Sequence, residues 1–472
     1  MNILFAASEA APFAASGGLA DVIGSLPKAI DVENHECAVV IPLYKQIPEE
    51  LRSGLTFIAN ITVDVSWRKQ YCGIFSAEKD GILYYFIDNE YYFCRDGMYG
   101  FYDDCERFVF FSRAVLEMLK YISFRPDIIS CNDWQTSLIP VYYQLYYKYQ
   151  QGYSNLKITL TIHNIEYQGK YGKEVLSELM GIPPYNAGLL EYDGYINMLK
   201  GAIETADIII TVSPTYAREL LEPWYSHGLD RILVTKQHKL KGILNGIDTA
   251  RYNPNTDPDI FCNFSKDDLS GKSKCRENLL DELGLPLNDE PVVGIVTRMV
   301  KHKGIDLIRA SAEEIIKSGV KFVVLGVGER MYEEFFIELS RRFPERVSVT
   351  TDYNSKLASK IYAGSDMFLM PSQSEPCGLA QIIAMKYGTI PIVHETGGLR
   401  DTVRDNGGIN GNGFTFQSYD AQDMADAVRR AKCDYENKTI WNELVIRAMN
   451  CDFGWGQSAL EYIKIFEDLI NE

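Results

Sequence analysis

The chain has 472 residues, more than one hydrophobic core usually supports, so its length predicts two domains of roughly 200 residues or more. Hydrophobic residues make up 46% of it and charged residues 24%, which is ordinary globular usage and excludes a fibrous or disordered chain. The net charge of -17 argues against nucleic acid or an anionic membrane as the main partner, because both bind basic surfaces, but it leaves an uncharged polymer allowed.

The first predicted element is a short apolar strand at residues 2–7. It ends at Ser8-Glu9 and has no basic segment ahead of it, so it reads as a buried strand and not as a signal peptide. A glycine pair, Gly17-Gly18, then opens an amphipathic helix. Paired glycines let a ligand approach the backbone closely, and the first turn of a helix has unpaired N–H groups, so this turn is suited to an anion.

Short apolar runs alternate with longer helical patterns, such as residues 104–121, up to about residue 245. The strand candidates after the first are residues 38–42, 82–88, 127–131, 158–163 and 207–212. This alternation is typical of parallel α/β layering. No run in this or the later part of the sequence is long enough to span a bilayer.

A second series of strands begins after Asn245-Gly246 and a polar stretch, residues 251–274, that we interpret as connecting loop. Its strand candidates are residues 292–297, 322–326, 347–351, 367–371 and 390–394. The expected domains are therefore residues 1–245 and 246–456. Residues 457–472 form an amphipathic pattern, which predicts a terminal helix that returns to the first domain.

The second series ends on another glycine pair, Gly397-Gly398, preceded by Thr396 and placed between a predicted strand and a helix. Two such turns in matching positions predict that a diphosphate is held between them, in a cleft between two domains. Either pair taken alone would more often be a simple cap or chain turn, and it is the two copies in matching positions that favour a ligand. The ten cysteines are scattered without a C-x-x-C pair, which favours reduced thiols and a cytoplasmic location.

Several motifs resemble one family. The run at residues 371–381 (PSQSEPCGLAQ), followed by the turn at Thr396, closely resembles bacterial glycogen synthases and plant starch synthases. Other segments match that family in chain order: residues 8–9, 17–22, 132–134, 161–164, 167–169, 197–201, 211–216, 242–248, Arg298 and residues 303–304. The resemblance covers nearly the whole chain. It implies an α/β GT-B architecture, in which two Rossmann-like domains with parallel sheets face a cleft.

The activity that the resemblance implies is transfer of glucose, with retention, from ADP-glucose to the non-reducing end of an α-1,4-glucan. The expected partners are these two substrates, with no nucleic acid and no membrane. No cofactor and no metal are expected, because Arg298 and Lys303 follow the strand at 292–297, where cations can neutralise a diphosphate. The Asp-x-Asp sequence at Asp257-Pro258-Asp259 lies in the connecting stretch and predicts a turn.

Charge separates during this reaction, since the leaving diphosphate becomes negative while the sugar becomes positive. Glu375, just after the strand at 367–371, is suited to accept hydrogen bonds from sugar hydroxyls or to stabilise the positive charge. By resemblance, the catalytic residues are Glu375, His163, Arg298, Lys303 and Asp21. Asp21 could also cap its helix, and an isolated histidine such as His163 is more often a structural residue.

Residues that resemble the family's binding positions form two sets. The donor set is Ser16, Gly17, Gly18, Asn245, Arg298, Lys303, Tyr353, Cys377, Gly378, Leu379, Thr396, Gly397 and Gly398. The acceptor set is Glu9, Asp133, Trp134, Tyr167 and Gln168. Tyr353 matches an aromatic residue that stacks on the nucleobase, and Cys377 is expected to pack beside the donor sugar.

Two positions depart from the pattern. Ala15 stands where the family usually has lysine, and Gln135 stands where histidine is common. Ile383 stands where related transferases often have a second glutamate, as the resemblance to the synthase branch implies, so a mechanism with two carboxylates is poorly supported. A non-catalytic glucan-binding relative would explain the first two, and a transferase with a small sugar acceptor is another alternative. The retained charged residues favour an active synthase, whereas the choice between ADP-glucose and UDP-glucose is left open.

Overall fold

The computed structural model describes residues 1–32, 34–408 and 410–471. Its strands are β1 Asn2–Ala6, β2 Glu36–Pro42, β3 Thr56–Val65, β4 Arg68–Lys79, β5 Ile82–Asp88, β6 Ile128–Asn132, β7 Lys157–Ile162, β8 Lys170–Tyr171, β9 Glu191–Tyr192, β10 Tyr195–Asn197, β11 Ile208–Thr211, β12 Leu240–Gly242, β13 Val292–Val296, β14 Lys321–Leu325, β15 Val347–Thr350, β16 Met367–Met370, β17 Ile390–His394 and β18 Phe414–Phe416.

Its α-helices are α1 Gly18–Ile30, α2 Glu49–Arg52, α3 Glu90–Phe93, α4 Asp104–Met118, α5 Leu138–Tyr142, α6 Val175–Glu178, α7 Met198–Thr205, α8 Pro214–Glu219, α9 Asp230–Thr235, α10 Ser270–Glu282, α11 Ile305–Lys317, α12 Arg330–Arg342, α13 Ser355–Gly364, α14 Ala380–Lys386, α15 Gly397–Thr402, α16 Ala421–Glu436, α17 Lys438–Met449 and α18 Trp455–Asn471. In this described part, no helix is both long and apolar enough to cross a membrane.

The chain divides into two compact units. The first contains Met1–Gly246 together with Trp455–Glu472, and the second contains Ile247–Gly454. Helix α18 therefore belongs to the first unit, where it packs against α1 and where Ser458 Oγ donates a hydrogen bond to Leu244 O at 2.5 Å.

The first unit is built on a nine-stranded sheet with the order β12-β11-β7-β6-β1-β2-β5-β4-β3. Its pairs are parallel from β12 to β5, and β4 is antiparallel to both β5 and β3. The apolar strands are buried because helices cover such sheets on both faces. After β1 and β2 the chain reaches the edge strand β3, comes back through β4 to β5, and then crosses to β6 on the other side of β1, so the strand order reverses between β1 and β6.

The second unit is a six-stranded parallel sheet with the order β15-β14-β13-β16-β17-β18. The order reverses between β13 and β16. In open α/β sheets, ligands bind outside the carboxyl ends of the strands at such a reversal. Each unit therefore has one edge where a functional site is expected.

Both series of predicted strands are confirmed. Residues 82–88 and 390–394 coincide with β5 and β17, and the other candidates lie within two residues of the observed bounds. The connecting loop at 251–274 is wrong at its end, because α10 begins at Ser270. The Asp268 carboxylate accepts the Ser270 N–H at 2.9 Å, which supports the start of a helix whose first residues are polar.

Three features of the first unit's sheets were not predicted. They are the antiparallel pair β3–β4, the edge strand β12, and a small sheet of order β8-β10-β9. Asp259 N–H donates to the Asp257 carboxylate at 2.8 Å, so the turn predicted at Asp257-Pro258-Asp259 is confirmed.

Candidate active site

The catalytic carboxylate expected in the second unit, Glu375, lies on the loop after β16. It is 6% exposed, and its Oε2 lies 2.7 Å from Lys303 Nζ and accepts a hydrogen bond from Ser372 Oγ at 2.9 Å. Burial raises the pKa of the Glu375 carboxyl, but Lys303 and Ser372 outweigh burial, so the pKa lies below its usual value. Glu375 is therefore held as an anion at the β13/β16 reversal.

The second glycine pair fixes the backbone of this same loop. A Cβ on Gly397, whose φ is +44°, would lie 2.0 Å from Glu375 O, and one on Gly398 would lie 2.1 Å from Cys377 O. Gly398 N–H already donates to Glu375 O and Pro376 O, and Leu399 N–H donates to Thr396 O. The expectation that this turn offers unpaired N–H groups is therefore wrong at Gly398 and Leu399, because the glycines pack the turn against the Glu375 loop.

The donor residues that follow Glu375 are held by one amide. Gln381 Nε2 donates to Cys377 O at 3.1 Å, Gly378 O at 2.8 Å and Thr402 Oγ1 at 3.1 Å. Gly378 has a φ of +71°, which turns the chain into α14 directly after Leu379. The thiol of Cys377 is buried within this turn. These contacts tie Cys377 and Gly378 to the same rigid segment as Glu375.

Two predicted donor residues of the second unit are exposed. Arg298 follows β13, and its guanidinium makes no hydrogen bond or ion pair with any residue that the structure describes. Tyr353 follows β15, and its ring is 83% exposed. Arg298 therefore differs from Lys303, which already has a carboxylate partner. A free guanidinium and an open aromatic face are both available to a ligand.

In the first unit, the carboxylate of Glu9 occupies the first glycine turn. It accepts hydrogen bonds from Ser16 N–H at 2.5 Å and from Ser16 Oγ at 2.9 Å. Burial raises the pKa of Glu9, and hydrogen bonds from Ser16, Tyr99 and the Gly17 N–H oppose that rise. Helix α1 begins at Gly18, with Asp21 in its first turn.

Space beside this turn is open, unlike the space at the second turn. A Cβ on Gly17 would meet no atom within 4 Å, and the φ of −168° is ordinary extended backbone. Ala15, where the family has lysine, is exposed. The turn therefore has room for a ligand even though Glu9 accepts some of its donors.

Asp133 and His163 meet at the ends of the paired strands β6 and β7. Asp133 Oδ1 accepts the backbone N–H of His163 at 2.7 Å and that of Asn164 at 3.4 Å. Burial raises the pKa of Asp133 to about 7, despite these two donors, and burial lowers the pKa of His163 to about 3. Asp133 has a φ of +57°, so the backbone is strained at the residue whose carboxylate binds the N–H groups that follow β7.

The remaining residues of the predicted acceptor set are Trp134, Gln168 and Tyr167, of which the first two are buried. Trp134 contacts Phe108 edge to face, and a Cβ on Gly169 would lie 2.6 Å from Trp134 Cε3. Gln168 is buried; its Nε2 donates to Ile165 O and His227 O, and its Oε1 accepts from Asn197 Nδ2. Tyr167 is 48% exposed. Gln168 is therefore saturated by the protein, whereas Tyr167 remains accessible.

Two buried amide oxygens in the first unit have no hydrogen-bond partner among the described residues. They are Gln135 Oε1, at the position where histidine is common, and Asn245 Oδ1 in the predicted donor set. Unpartnered buried acceptors are uncommon and often mark a place where a ligand or water donates. Asn245 is 5% exposed and follows β12.

Sequence reasoning missed two residues that contact the predicted ones. Tyr99 lies on the loop before α4, donates to Ser8 Oγ at 2.7 Å and also hydrogen-bonds Glu9. Ser372, which stands in the quoted motif, contacts Glu375 directly. Its position three residues before Glu375 on a loop after a strand was a usable signal, whereas nothing near Tyr99 in sequence pointed to Glu9.

The second unit can neutralise a diphosphate with Arg298 and Lys303 while presenting an anionic Glu375. In the described part of the chain, no group of three or more histidine, cysteine, aspartate or glutamate side chains could hold a metal ion. Each unit places its charged or polar residues at the strand-order reversal of its sheet. This arrangement suits a reaction in which opposite charges develop close together.

Two family models match the chain. Residues 2–235 match the starch synthase catalytic domain, and residues 280–444 match the glycosyl transferases group 1. A glycogen synthase of Bacillus cereus is 46% identical over 477 residues, covering 100% of each chain, and one of Alkaliphilus metalliredigens is 45% identical, covering 99% of this chain and 100% of that protein.

Two solved structures share the fold of this chain. The catalytic domain of starch synthase IV from Arabidopsis thaliana, bound to ADP and acarbose, superposes with a TM-score of 0.92 at 35% identity over 100% of this chain and 99% of that one. A sucrose-phosphate synthase from Thermosynechococcus elongatus, 17% identical with a TM-score of 0.62 over 100% of this chain and 99% of that one, shares the fold. The fold is GT-B, with two Rossmann-like units, and the chain belongs to the glycogen synthase family.

Proposed function

We propose that this protein is a retaining glucosyltransferase that extends an α-1,4-glucan with glucose from ADP-glucose. The observation that carries this proposal is the contact of Lys303 with the buried Glu375 carboxylate, in segments that match the glycogen synthase motifs. Arg298 lies on the same connection between β13 and α11 as Lys303, and it is exposed. The relatives named glycogen synthase, and the starch synthase structure bound to ADP, support the glucan acceptor and the ADP leaving group.

The contacts suggest which side chains neutralise the diphosphate and which one interacts with the transferred glucose. Arg298 binds the diphosphate with its planar fork, and Lys303 shares its charge between the diphosphate and Glu375. Glu375 stays ionised because of that lysine, so it can accept hydrogen bonds from the transferred glucose or stabilise positive charge at the reacting carbon. Neutral His163 adds a polar edge without adding charge.

The sequence-based assignment of the two units follows from these roles. Residues 1–245 supply the acceptor side through Glu9, Asp133, Trp134 and Tyr167, and residues 246–456 supply most of the donor side. We also propose a cytoplasmic location, because all ten cysteines are free thiols, which persist in reducing compartments.

The test is a transfer assay with purified protein, glycogen, and either ADP-glucose or UDP-glucose, read out as nucleoside diphosphate release and as glucose added to the polymer. Glucose, fructose 6-phosphate and sucrose serve as alternative acceptors. We expect glucan extension with α-linkage and a preference for ADP-glucose. Failure to extend glycogen with either donor, in folded protein, rejects the proposal, and preferred transfer to a small sugar rejects the glucan acceptor.

A matched pair of variants links the assay to the site. Lys301 and Lys303 lie on the same short 3-10 turn, but only Lys303 reaches Glu375. Lys303→Ala is expected to abolish most transfer, while Lys301→Ala retains it. Equal losses in both variants would mean that general positive charge on this turn matters, and not the contact with Glu375.

A further inference from the structure

Asn132, the last residue of β6, is oriented by two backbone carbonyls. It is 2% exposed, and its Nδ2 donates to Ala6 O at 3.1 Å and to Ser130 O at 3.0 Å. A flipped side chain would point Oδ1 at two carbonyl oxygens, which repel it. The amide orientation is therefore determined by the sheet, and Oδ1 points away from β1.

The oxygen of this amide faces His163. Asn132 Oδ1 lies 2.9 Å from His163 Nε2, at the end of the neighbouring strand β7. An amide oxygen only accepts, so His163 Nε2 carries the hydrogen of this bond. Because burial lowers the pKa of His163 to about 3, the ring is neutral at physiological pH and holds one hydrogen only.

The other ring nitrogen is then a bare acceptor. His163 is partly exposed, and its Nδ1 makes no hydrogen bond within residues 1–32, 34–408 and 410–471. The backbone beside the ring is also fixed, because His163 N–H donates to Asp133 Oδ1 at 2.7 Å. The ring is thus held from two sides, with a lone pair on its free edge.

We propose that Asn132 is a positioning residue that locks His163 in the Nε2–H tautomer, so that Nδ1 accepts a hydrogen bond from a hydroxyl of the transferred glucose. This inference rests on the proposed function for the identity of the sugar. The proposal predicts that one hydroxyl of the donor sugar is recognised. In an analogue with fluorine at that position, the fluorine cannot donate a hydrogen bond, and it faces the lone pair of His163 Nδ1.

The tautomer is measured directly in the unaltered protein by long-range ¹H–¹⁵N NMR with ¹⁵N-histidine labelling. The chain has six histidines, and His163→Ala assigns the resonance of interest. We expect one protonated and one bare ring nitrogen at neutral pH, with the hydrogen on Nε2. A hydrogen on Nδ1, an equal mixture of tautomers or an imidazolium would overturn the proposal, and this readout needs no turnover.

Donor selectivity is the second measurement. ADP-glucose and its 2-, 3-, 4- and 6-deoxyfluoro analogues are assayed with the unaltered protein, with Asn132→Leu and with Ser130→Ala. Ser130 is a control on the same strand, because its buried Oγ has no hydrogen-bond partner in the part of the chain that the structure describes. The electronic effect of fluorine cancels when each variant is compared with the unaltered protein. We expect one analogue to be disfavoured about tenfold, the typical effect of one unmade hydrogen bond, and this penalty to disappear in Asn132→Leu alone.

The outcomes separate the two proposals. If no donor supports glucan extension, the proposed function fails, whatever the NMR spectrum shows. If extension occurs but Asn132→Leu keeps the same analogue selectivity, Asn132 does not set the hydrogen-bonding role of His163. If Asn132→Leu fails to fold, the spectrum of the unaltered protein still decides the tautomer.

Discussion

Lys303 Nζ lies 2.7 Å from Glu375 Oε2, so the cation and the carboxylate that we assign to opposite charges of the reaction are in direct contact. Both side chains are largely buried, with 17% and 8% of their surfaces exposed. Removing one partner from such a pair leaves the other charge buried without compensation. Lys303 is therefore expected to matter for stability as well as for turnover.

Alanine variants of Lys303 and Arg298 should separate the effect on stability from the effect on turnover. Lys303→Ala is expected to lower kcat/KM by more than tenfold and the free energy of unfolding by about 2 kcal/mol, since it strands Glu375. Arg298→Ala should lower kcat/KM similarly, because a charge-assisted contact is worth roughly 1.5 to 3 kcal/mol, but leave stability unchanged, since its side chain has no partner among the described residues. Transfer kinetics and calorimetry measure both. Equal loss of stability in the two variants would contradict this distinction.

The same ion pair predicts a pH effect. The pKa of Glu375 is lower in the folded protein than in the unfolded chain, so its pairing stabilises the fold above the usual glutamate pKa, and that stability is lost as the pH falls through the lower folded-state pKa. In Lys303→Ala, burial acts unopposed and raises the pKa of Glu375. The acid limb of kcat/KM should then move up by about one pH unit or more. An unmoved limb in Lys303→Ala, measured against Arg298→Ala, would remove Glu375 ionisation from the profile.

The two glycine turns should respond differently to alanine. Gly397→Ala places a Cβ 2.0 Å from Glu375 O at a φ of +44°, so we expect a loss of stability and of activity together. Gly17→Ala meets no atom within 4 Å, so the fold should be unchanged while donor affinity falls, if a diphosphate approaches this backbone. Melting temperatures and ADP binding by calorimetry distinguish the two. Unaltered ADP binding in Gly17→Ala would exclude that approach.

How far the sequence predicted these features depends on whether the signal was local. The strand–turn–helix units were predictable because apolar runs, glycine pairs and helical periodicity lie within a few residues of each other. The β3–β4 pair was missed although Ile61, Val63 and Val65 alternate with exposed residues in the pattern of a strand. Only the fold shows that β3 packs against α4, which is distant in sequence. Motifs placed Glu375 and Lys303 at strand ends, but only the fold shows that they touch, 72 residues apart.

The sequence revealed only part of what the two glycine pairs do. Both pairs were predicted to approach a diphosphate, because any Gly-Gly turn before a helix has room and donors. The second pair also packs against the carbonyls of Glu375 and Cys377, which the sequence of residues 396–398 does not reveal. Its approach to a diphosphate stays a prediction. Tyr99 illustrates the same limit, since its contact with Ser8 spans 91 residues.

Asp133 offers a test at the end of β6. Burial raises its pKa to about 7, so the ionised form is disfavoured in the folded state and the stability from this group falls as the pH rises from the usual aspartate pKa to about 7. Asp133→Asn keeps an acceptor for His163 N–H and matches the shape of the aspartate at this positive φ, yet it cannot ionise. The melting temperature of the variant, measured relative to that of the unaltered protein, should therefore be higher at pH 8 than at pH 5 by about 2 °C or more. Parallel curves would mean that Asp133 does not titrate in this range.

The last prediction concerns Ala15, where the chain departs from its family. Ala15 is exposed beside a turn with open space at Gly17, so Ala15→Lys can add a cation without reshaping the site. Solvent and salt screen such a charge, so we expect ADP and ADP-glucose to bind about fivefold more tightly, a gain near 1 kcal/mol. The gain should shrink as ionic strength rises, and Ala15→Met, of similar length, should show none. Equal effects of Lys and Met would indicate packing and not charge, and weaker binding at low salt would mean that Glu9, whose carboxylate already occupies this turn, captures the new cation before the donor can.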